Sequence, residues 1–306
     1  MQSQKSLPLN KQTWLAGLAA ALVFSVMLVL YVDTLLPGLV GGDAGEMQYA
    51  PPILALTHPT GMPLYIFVGH LWAELVPIGS VAYRMNLLAA VSGAAACAAL
   101  AGFGSRLHGS VIGLAAGLTL GVGTTFWSQA VIADKYAFNA LLVVLVLGLA
   151  ALWSRQRRDA GLILLSAVYG LSLLHHRTMI LFGPGLAALV IYQERWAVLH
   201  RWRRSLLCGL LVFGPPLVVY PLALPWLEGR GLDPYLWRPQ TLGGWIDWLL
   251  ERHIVQQALQ TEDLPDYLAG YARTLAGDYS VVVIGLALVG LAALARRERA
   301  MFLLLA

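Results

Sequence analysis

Residues 63–77 read PLYIFVGHLWAELVP, and whether they cross a membrane decides the topology of all that follows. The stretch is apolar, but it is shorter than the roughly 20 residues a span requires, and it holds His70 and Glu74. Longer apolar runs lie at roughly 13–36, 85–104, 109–127, 137–153, 160–175, 177–193, 205–225 and 279–295, with a further one beginning near 300. Suppose 63–77 stays on one side. Then Arg106, the group Arg155, Arg157 and Arg158, the group Arg195, Arg201, Arg203 and Arg204, and the group Arg296, Arg297 and Arg299 all share the N-terminal side. That side is cytoplasmic by the positive-inside rule. If 63–77 crossed, every cluster would face outward. The stretch is therefore expected to be a helix lying at the outer interface, and 37–83, 128–136 and 226–278 to be non-cytoplasmic.

The composition agrees. Of 306 residues, 58% are hydrophobic and 12% charged, against about 25% charged in soluble domains; the mean hydropathy is +0.70. Acids and bases cluster between the apolar runs, as lipid demands. The net charge of +4 comes mostly from short inter-helix loops, so it sets orientation and is no nucleic-acid signature. Cys97 and Cys208 each sit inside an apolar run with no Cys or His at ligand spacing. They read as packing residues, not as a disulfide framework or zinc site. The first run, Trp14 to Leu36, outlasts a signal-peptide core of about 7–15 residues and lacks a small-x-small cleavage site, so it is expected to be a retained span. The apolar 300–306 looks like the start of another helix, so the chain is expected to continue. The fold expected is an all-α polytopic membrane protein of about eight or nine or more transmembrane helices, with interfacial helices in the first outer loop and a single domain over 1–306.

The outer segments hold the chemistry. The first contains Gly41-Gly42-Asp43-Ala44-Gly45-Glu46 and then His58-Pro59-Thr60-Gly61-Met62-Pro63. Two readings of Asp43 stay open. It can cap a short helix with Glu46 at the capping-box position, or the two carboxylates can face a cavity at the membrane edge where one acts as general base. His58 precedes a proline, which keeps it out of a helix; it is either a structural loop histidine or part of the same site. The second segment reads Trp127-Ser128-Gln129-Ala130, then Asp134-Lys135-Tyr136. Its aromatics suit an interfacial belt, and Asp134 with Lys135 can be an exposed pair of little worth. His175, His176 and Arg177 lie at an outer turn between two runs. They can bind a phosphate or merely reach for the interface. A metal there is disfavoured because adjacent imidazoles point apart on a helix. The third segment includes Arg238 and an aromatic stretch, Trp245 and Trp248, spaced for an amphipathic interfacial helix.

Taken in order, these segments resemble the protein O-mannosyltransferase family of the membrane glycosyltransferase C superfamily. The resemblance rests on Asp43-Ala44-Gly45-Glu46, on His58-Pro59-Thr60-Gly61-Met62-Pro63-Leu64, on Arg84-Met85-Asn86-Leu87 and on Trp127-Ser128-Gln129-Ala130 with Asp134-Lys135-Tyr136. Asp134 stands where the family usually has Glu. The resemblance covers roughly residues 33–260 and implies a GT-C-like bundle. It implies a polyprenyl- or dolichyl-phosphate sugar donor, often of mannose, and an acceptor hydroxyl, on protein Ser or Thr, met on the outer side.

Under that resemblance Asp43 and Glu46 are the catalytic candidates. His58, Arg84, His176 and Arg177 are the donor-phosphate candidates, and Gln129, Asp134, Tyr136 and Arg238 line the acceptor cavity. The physics suits such a reaction. A lipid donor needs a groove between spans with cations near its phosphate, and one base on the opposite face of the sugar gives a single displacement with inversion. No cofactor is expected, and a divalent-metal requirement is left open. The partners expected are the lipid-linked donor, the hydroxyl acceptor and the bilayer, without nucleic acid, in a bacterial inner or plasma membrane with a cytoplasmic N-terminus. A lipid-linked-sugar flippase and a non-catalytic membrane subunit are the competing readings. The first is disfavoured by one-sided charge and by the lack of an evident inverted repeat.

Overall fold

The computed structural model describes residues 9–228, 241–249, 252, 264–299 and 301–302. Among them all regular structure is helical, and the chain is an all-α polytopic membrane protein. The helices are α1 (Leu9–Asp33), α2 (Gly42–Tyr49), α3 (Pro63–Leu75), α4 (Val81–His108), α5 (Ser110–Val122), α6 (Thr124–Ala130) and α7 (Lys135–Gln156). They continue with α8 (Asp159–Ser172), a 3-10 turn (Arg177–Leu181), α9 (Phe182–Glu194), α10 (Ala197–His200), α11 (Trp202–Glu228), α12 (Leu242–Leu249), α13 (Leu264–Asp278) and α14 (Val281–Arg297). Among the described residues four helices, α1, α4, α7 and α11, are long and apolar enough to cross a membrane. The total is six if two bent pairs, α5 with α6 and α13 with α14, each form one span. The runs at 160–175 and 177–193 fold as α8 and α9, of 14 and 13 residues.

The chain divides into two compact units, residues 1–48 with 75–155, and residues 49–74 with 156–306. In the first, α1 buries Ala16, Ala19, Val23, Met27 and Tyr31, a spacing of three or four that makes one helical face. That face meets Ala90, Ala94, Cys97 and Ala101 of α4. Without hydrophobic drive inside lipid, helices associate through close van der Waals packing, which small residues permit. The same device joins α5 to α4: a Cβ at Gly117 would lie 2.6 Å from the Cys97 carbonyl oxygen, and one at Gly113 would collide with that of Ala101. Tyr31 donates to the Gly121 carbonyl over 2.8 Å, and its oxygen lies 3.8 Å from Cys97 Sγ. Cys97 is thus a buried packing residue, as its setting in an apolar run suggested.

The ends of this unit constrain the segment between α1 and α4. Gln12 Nε2 donates to the Arg106 carbonyl over 3.0 Å, and an Arg155 guanidinium nitrogen to that of Leu107 over 2.7 Å. The start of α1 and the ends of α4 and α7 therefore gather together. At the opposite end the Leu36 N–H donates to the Val131 carbonyl over 3.0 Å, and Asn86 Nδ2 to that of Leu36 over 2.6 Å. So α1 leaves and α4 enters at one end, and the segment between them makes no net crossing.

In the second unit α8 and α11 run so close at Gly170 that a Cβ there would collide with the Leu211 carbonyl. Helix α11 contains Pro215, Pro216, Pro221 and Pro225 yet continues to Glu228, a tolerance typical of membrane helices. The Leu64 N–H donates to the Leu174 carbonyl over 3.1 Å and fastens the start of α3. Ile66 of α3 then packs with Leu56, Ala223, Leu224, Leu227 and Trp248. The aromatic stretch thus forms a helix, as expected, but Trp248 is buried in protein rather than anchored in lipid.

Candidate active site

Gly42 takes φ +68, a left-handed conformation that glycine adopts without steric cost. The chain turns there into α2 and sets Asp43 in its first turn, where the helix dipole favours a carboxylate. Its side chain is 60% exposed, and its Oδ2 accepts from Lys135 Nζ over 2.7 Å. Glu46 lies three residues on, half-buried, at a spacing that shares a helical face. Lys135 is not the exposed half of a local pair: it is buried, and it reaches 92 residues back to Asp43. Asp134 Oδ1 accepts from the Lys135 backbone N–H over 2.6 Å and lies 3.6 Å from its ammonium. Burial pushes the Asp134 carboxyl above the usual carboxylate range, against the pull of Lys135.

Two buried amides hold these pieces in place: Asn86, which entered the sequence reading only as part of a motif, and Gln48, which did not enter it. Gln48 Nε2 donates to Asn86 Oδ1 over 2.9 Å and to the Gly38 carbonyl over 3.0 Å, while its Oε1 accepts from the Val40 N–H over 3.1 Å. Asn86 Oδ1 also accepts from the Ala133 N–H over 2.8 Å. One side-chain pair therefore ties the end of α1, helix α2, the start of α4 and the loop carrying Asp134. The available signal was the rule that a buried amide needs partners; Asn86 sits in the first turn of an apolar run. Arg84, also in that turn, is half-buried. Gln129, on α6, has a buried side-chain oxygen with no hydrogen-bond partner among the described residues. Tyr136 is exposed, with the Lys135 ammonium 5.0 Å from its ring centre.

The second unit holds a separate feature. His176 caps the 3-10 turn, its Nδ1 2.8 Å from Thr178 Oγ1 and accepting from the Thr178 N–H over 3.3 Å. An accepting Nδ1 puts the proton of a neutral ring on Nε2, which then donates. His176, Arg177, Thr178, Thr60 and Tyr220 give the polar edge of a cavity of about 740 Å³, whose other walls are apolar residues such as Leu181, Phe213 and Leu217. His175 turns away and is buried, its ring centre 5.7 Å from that of Tyr65. His58 sits in the turn closed by the Gly61 N–H on its own carbonyl over 2.8 Å and does not line this cavity. Arg238 lies outside the described residues. Among the described residues no group of three His, Cys, Asp or Glu side chains converges to hold a metal.

The model of the family described as "Protein O-mannosyl-transferase TMEM260 N-terminal domain" matches residues 43–199, just over half of the chain. The chain belongs to this family. The match begins at Asp43 and includes every candidate named above except Arg238. The mouse protein O-mannosyl-transferase TMEM260 is 34% identical over 166 residues, 52% of this chain and 24% of the mouse protein. The Dictyostelium discoideum protein O-mannosyl-transferase tmem260 is 31% identical over 77 residues, 24% of this chain and 9% of that protein. The chain thus aligns with about a quarter of the mouse relative's length. No solved structure matches it significantly.

Proposed function

We propose that this chain carries the membrane-embedded catalytic part of an O-mannosyltransferase. It moves mannose from a polyprenyl-phosphate donor to a hydroxyl of a protein acceptor on the non-cytoplasmic side, with the N-terminus in the cytoplasm. The observation that carries the reading is the exposed Asp43 carboxylate, fixed on a short helix at the exit of the first span and paired with a buried cation. Family membership supports the reaction class, since both relatives are named protein O-mannosyl-transferases.

In this reading Asp43 takes the proton of the acceptor hydroxyl as its oxygen bonds to the anomeric carbon. The carbon–oxygen bond to phosphate breaks on the opposite face, its electron pair leaves with the polyprenyl phosphate, and the centre inverts. Lys135 aims Asp43 before the step. It has a second carboxylate, Asp134, 3.6 Å away, to pair with once Asp43 is protonated. Glu46 orients the acceptor. For the second unit, separately, the proposal is that His176 and Arg177 offer donors to a phosphate at the edge of its apolar cavity, which suits a prenyl chain; Arg84 and His58 are further proposed headgroup contacts.

The test is transfer of labelled mannose from a synthetic polyprenyl phosphate by reconstituted protein. Asp43→Asn keeps the shape without the base, so turnover should fall about 10²–10⁴-fold with donor binding retained. Near-wild-type turnover by the folded variant removes Asp43 from the role. If Glu46→Gln alone abolishes turnover, the two carboxylates exchange roles.

A further inference from the structure

The second unit contains another cavity, of about 350 Å³, between α8, α9 and α11. Its walls are almost wholly apolar, with Leu162, Leu165, Leu186, Val190 and Val212 among them. At one end stands Arg204, its side chain nine-tenths buried. One of its terminal nitrogens bonds Asp159 Oδ1 over 2.7 Å and the other Glu194 Oε2 over 2.6 Å. Its Nε is buried and has no hydrogen-bond partner among the described residues. Arg201 bonds the same Asp159 oxygen over 3.0 Å, and Arg157 lies 3.9 Å from Glu194. Among the described residues these pairs bring three guanidinium groups to two carboxylates at the cavity's end.

We infer that this cavity binds an anionic phospholipid of the bilayer, one acyl chain between α8, α9 and α11 and the phosphate end at the arginine cluster. An apolar void excludes water but accepts apolar guests. The outer faces beside it, with Leu210 and Phe213 exposed, are apolar, so acyl chains are the guests at hand. A buried N–H without a partner is costly, so Arg204 Nε, which has none among the described residues, would gain from an acceptor oxygen of a phosphate or ester. The clustered guanidinium groups, Arg204 and the exposed Arg201 above all, favour an anionic over a zwitterionic headgroup. Arg201, 55% exposed at its side chain, is placed to meet the part of the headgroup that stays in water. Phe213 lines both this cavity and the larger one, but Arg204, Arg201, Asp159 and Glu194 do not belong to the site proposed for sugar transfer.

The experiment is native mass spectrometry of the full chain released from vesicles of equal phosphatidylglycerol and phosphatidylcholine. Wild-type protein should retain one phosphatidylglycerol. Gly209→Leu fills the cavity from α11, where a Cβ meets nothing within 4 Å, and Leu is the better helix former. It should reduce occupancy at least about tenfold. Ala187→Leu fills the same space from α9 and serves if the first variant folds poorly. Arg201→Gln should keep the lipid but lose most of the preference for phosphatidylglycerol. Unchanged retention by the folded filled variants overturns the site, and equal retention of the two phospholipids, or capture of free fatty acid alone, overturns the headgroup assignment.

Discussion

The side-chain amide of Gln48 donates to Asn86 Oδ1 over 2.9 Å, and both residues are buried. Each also bonds backbone groups that have no helical partner of their own, at Gly38 and Val40 for Gln48 and at Leu36 and Ala133 for Asn86. Removing either leaves several buried groups unsatisfied, at about 1–3 kcal/mol each. Gln48→Ala and Asn86→Ala should each lower the thermal midpoint in detergent. Because they share a bond, the double variant should lose less than the sum, with a coupling of about 1 kcal/mol. Strict additivity would show that the pair is not a hub.

Asp134 gives a pH signature. Burial raises its folded carboxyl above the unfolded value, so the fold favours the protonated form. That contribution is fully present below the unfolded value and is lost as pH rises through the folded one. Asn cannot ionise and still accepts from the Lys135 N–H. The stability of Asp134→Asn relative to wild type should therefore improve as pH rises from about 4 to 7. A difference that stays flat, or grows in the wild type's favour, contradicts the raised carboxyl.

The proposed phosphate contacts differ in what already holds them. His176 is oriented through Nδ1 by Thr178, whereas Arg177 offers a guanidinium fork suited to phosphate. Arg177→Ala should raise the donor KM by about tenfold or more, and His176→Ala by less. Thr178→Val should mimic a weakened His176. A donor KM unmoved in all three variants, with turnover retained, removes this cavity from the donor site.

The helix contact between α4 and α5 predicts a contrast between two glycines. Gly117 faces the Cys97 carbonyl at a distance no Cβ tolerates, while a Cβ at Gly17 of α1 meets nothing within 4 Å. Gly117→Val should destabilise by about 1–3 kcal/mol or more through overpacking. Gly17→Ala should be neutral or gain up to about 1 kcal/mol from helix propensity. Equal thermal midpoints for the two variants would mean that α4 and α5 do not touch there.

The parts of this molecule governed by hydropathy were legible from residues alone. Apolar runs marked the helices, and arginine parity gave the expectation that 63–77 does not cross; the hydrogen bonds of the first unit put the exit of α1 and the start of α4 at one end. Hydropathy averages over a window, so it passed over the 72° break between α5 and α6. Long-range partners were equally invisible. Lys135 was legible only beside its neighbour Asp134, because nothing local encodes a bond to Asp43, and Gln48 and Asn86 matter through each other. Asp43 itself was legible as an exposed acid after a glycine turn; its pairing was not.

Helix α5 has 13 residues, about 20 Å along its axis, while the hydrocarbon layer is about 30 Å thick. Helix α1, with 25 residues, is long enough for the whole layer. A short apolar cylinder draws the headgroups in around it, at a cost of fractions of a kcal/mol per ångström of mismatch. If α5 and α6 make one span bent by 72°, it falls short of the layer along the α5 axis, and the elastic cost of that mismatch grows as the surrounding lipids lengthen. Chain length in the lipids would then be a means of deforming the helix packing that carries Asp134 and Lys135.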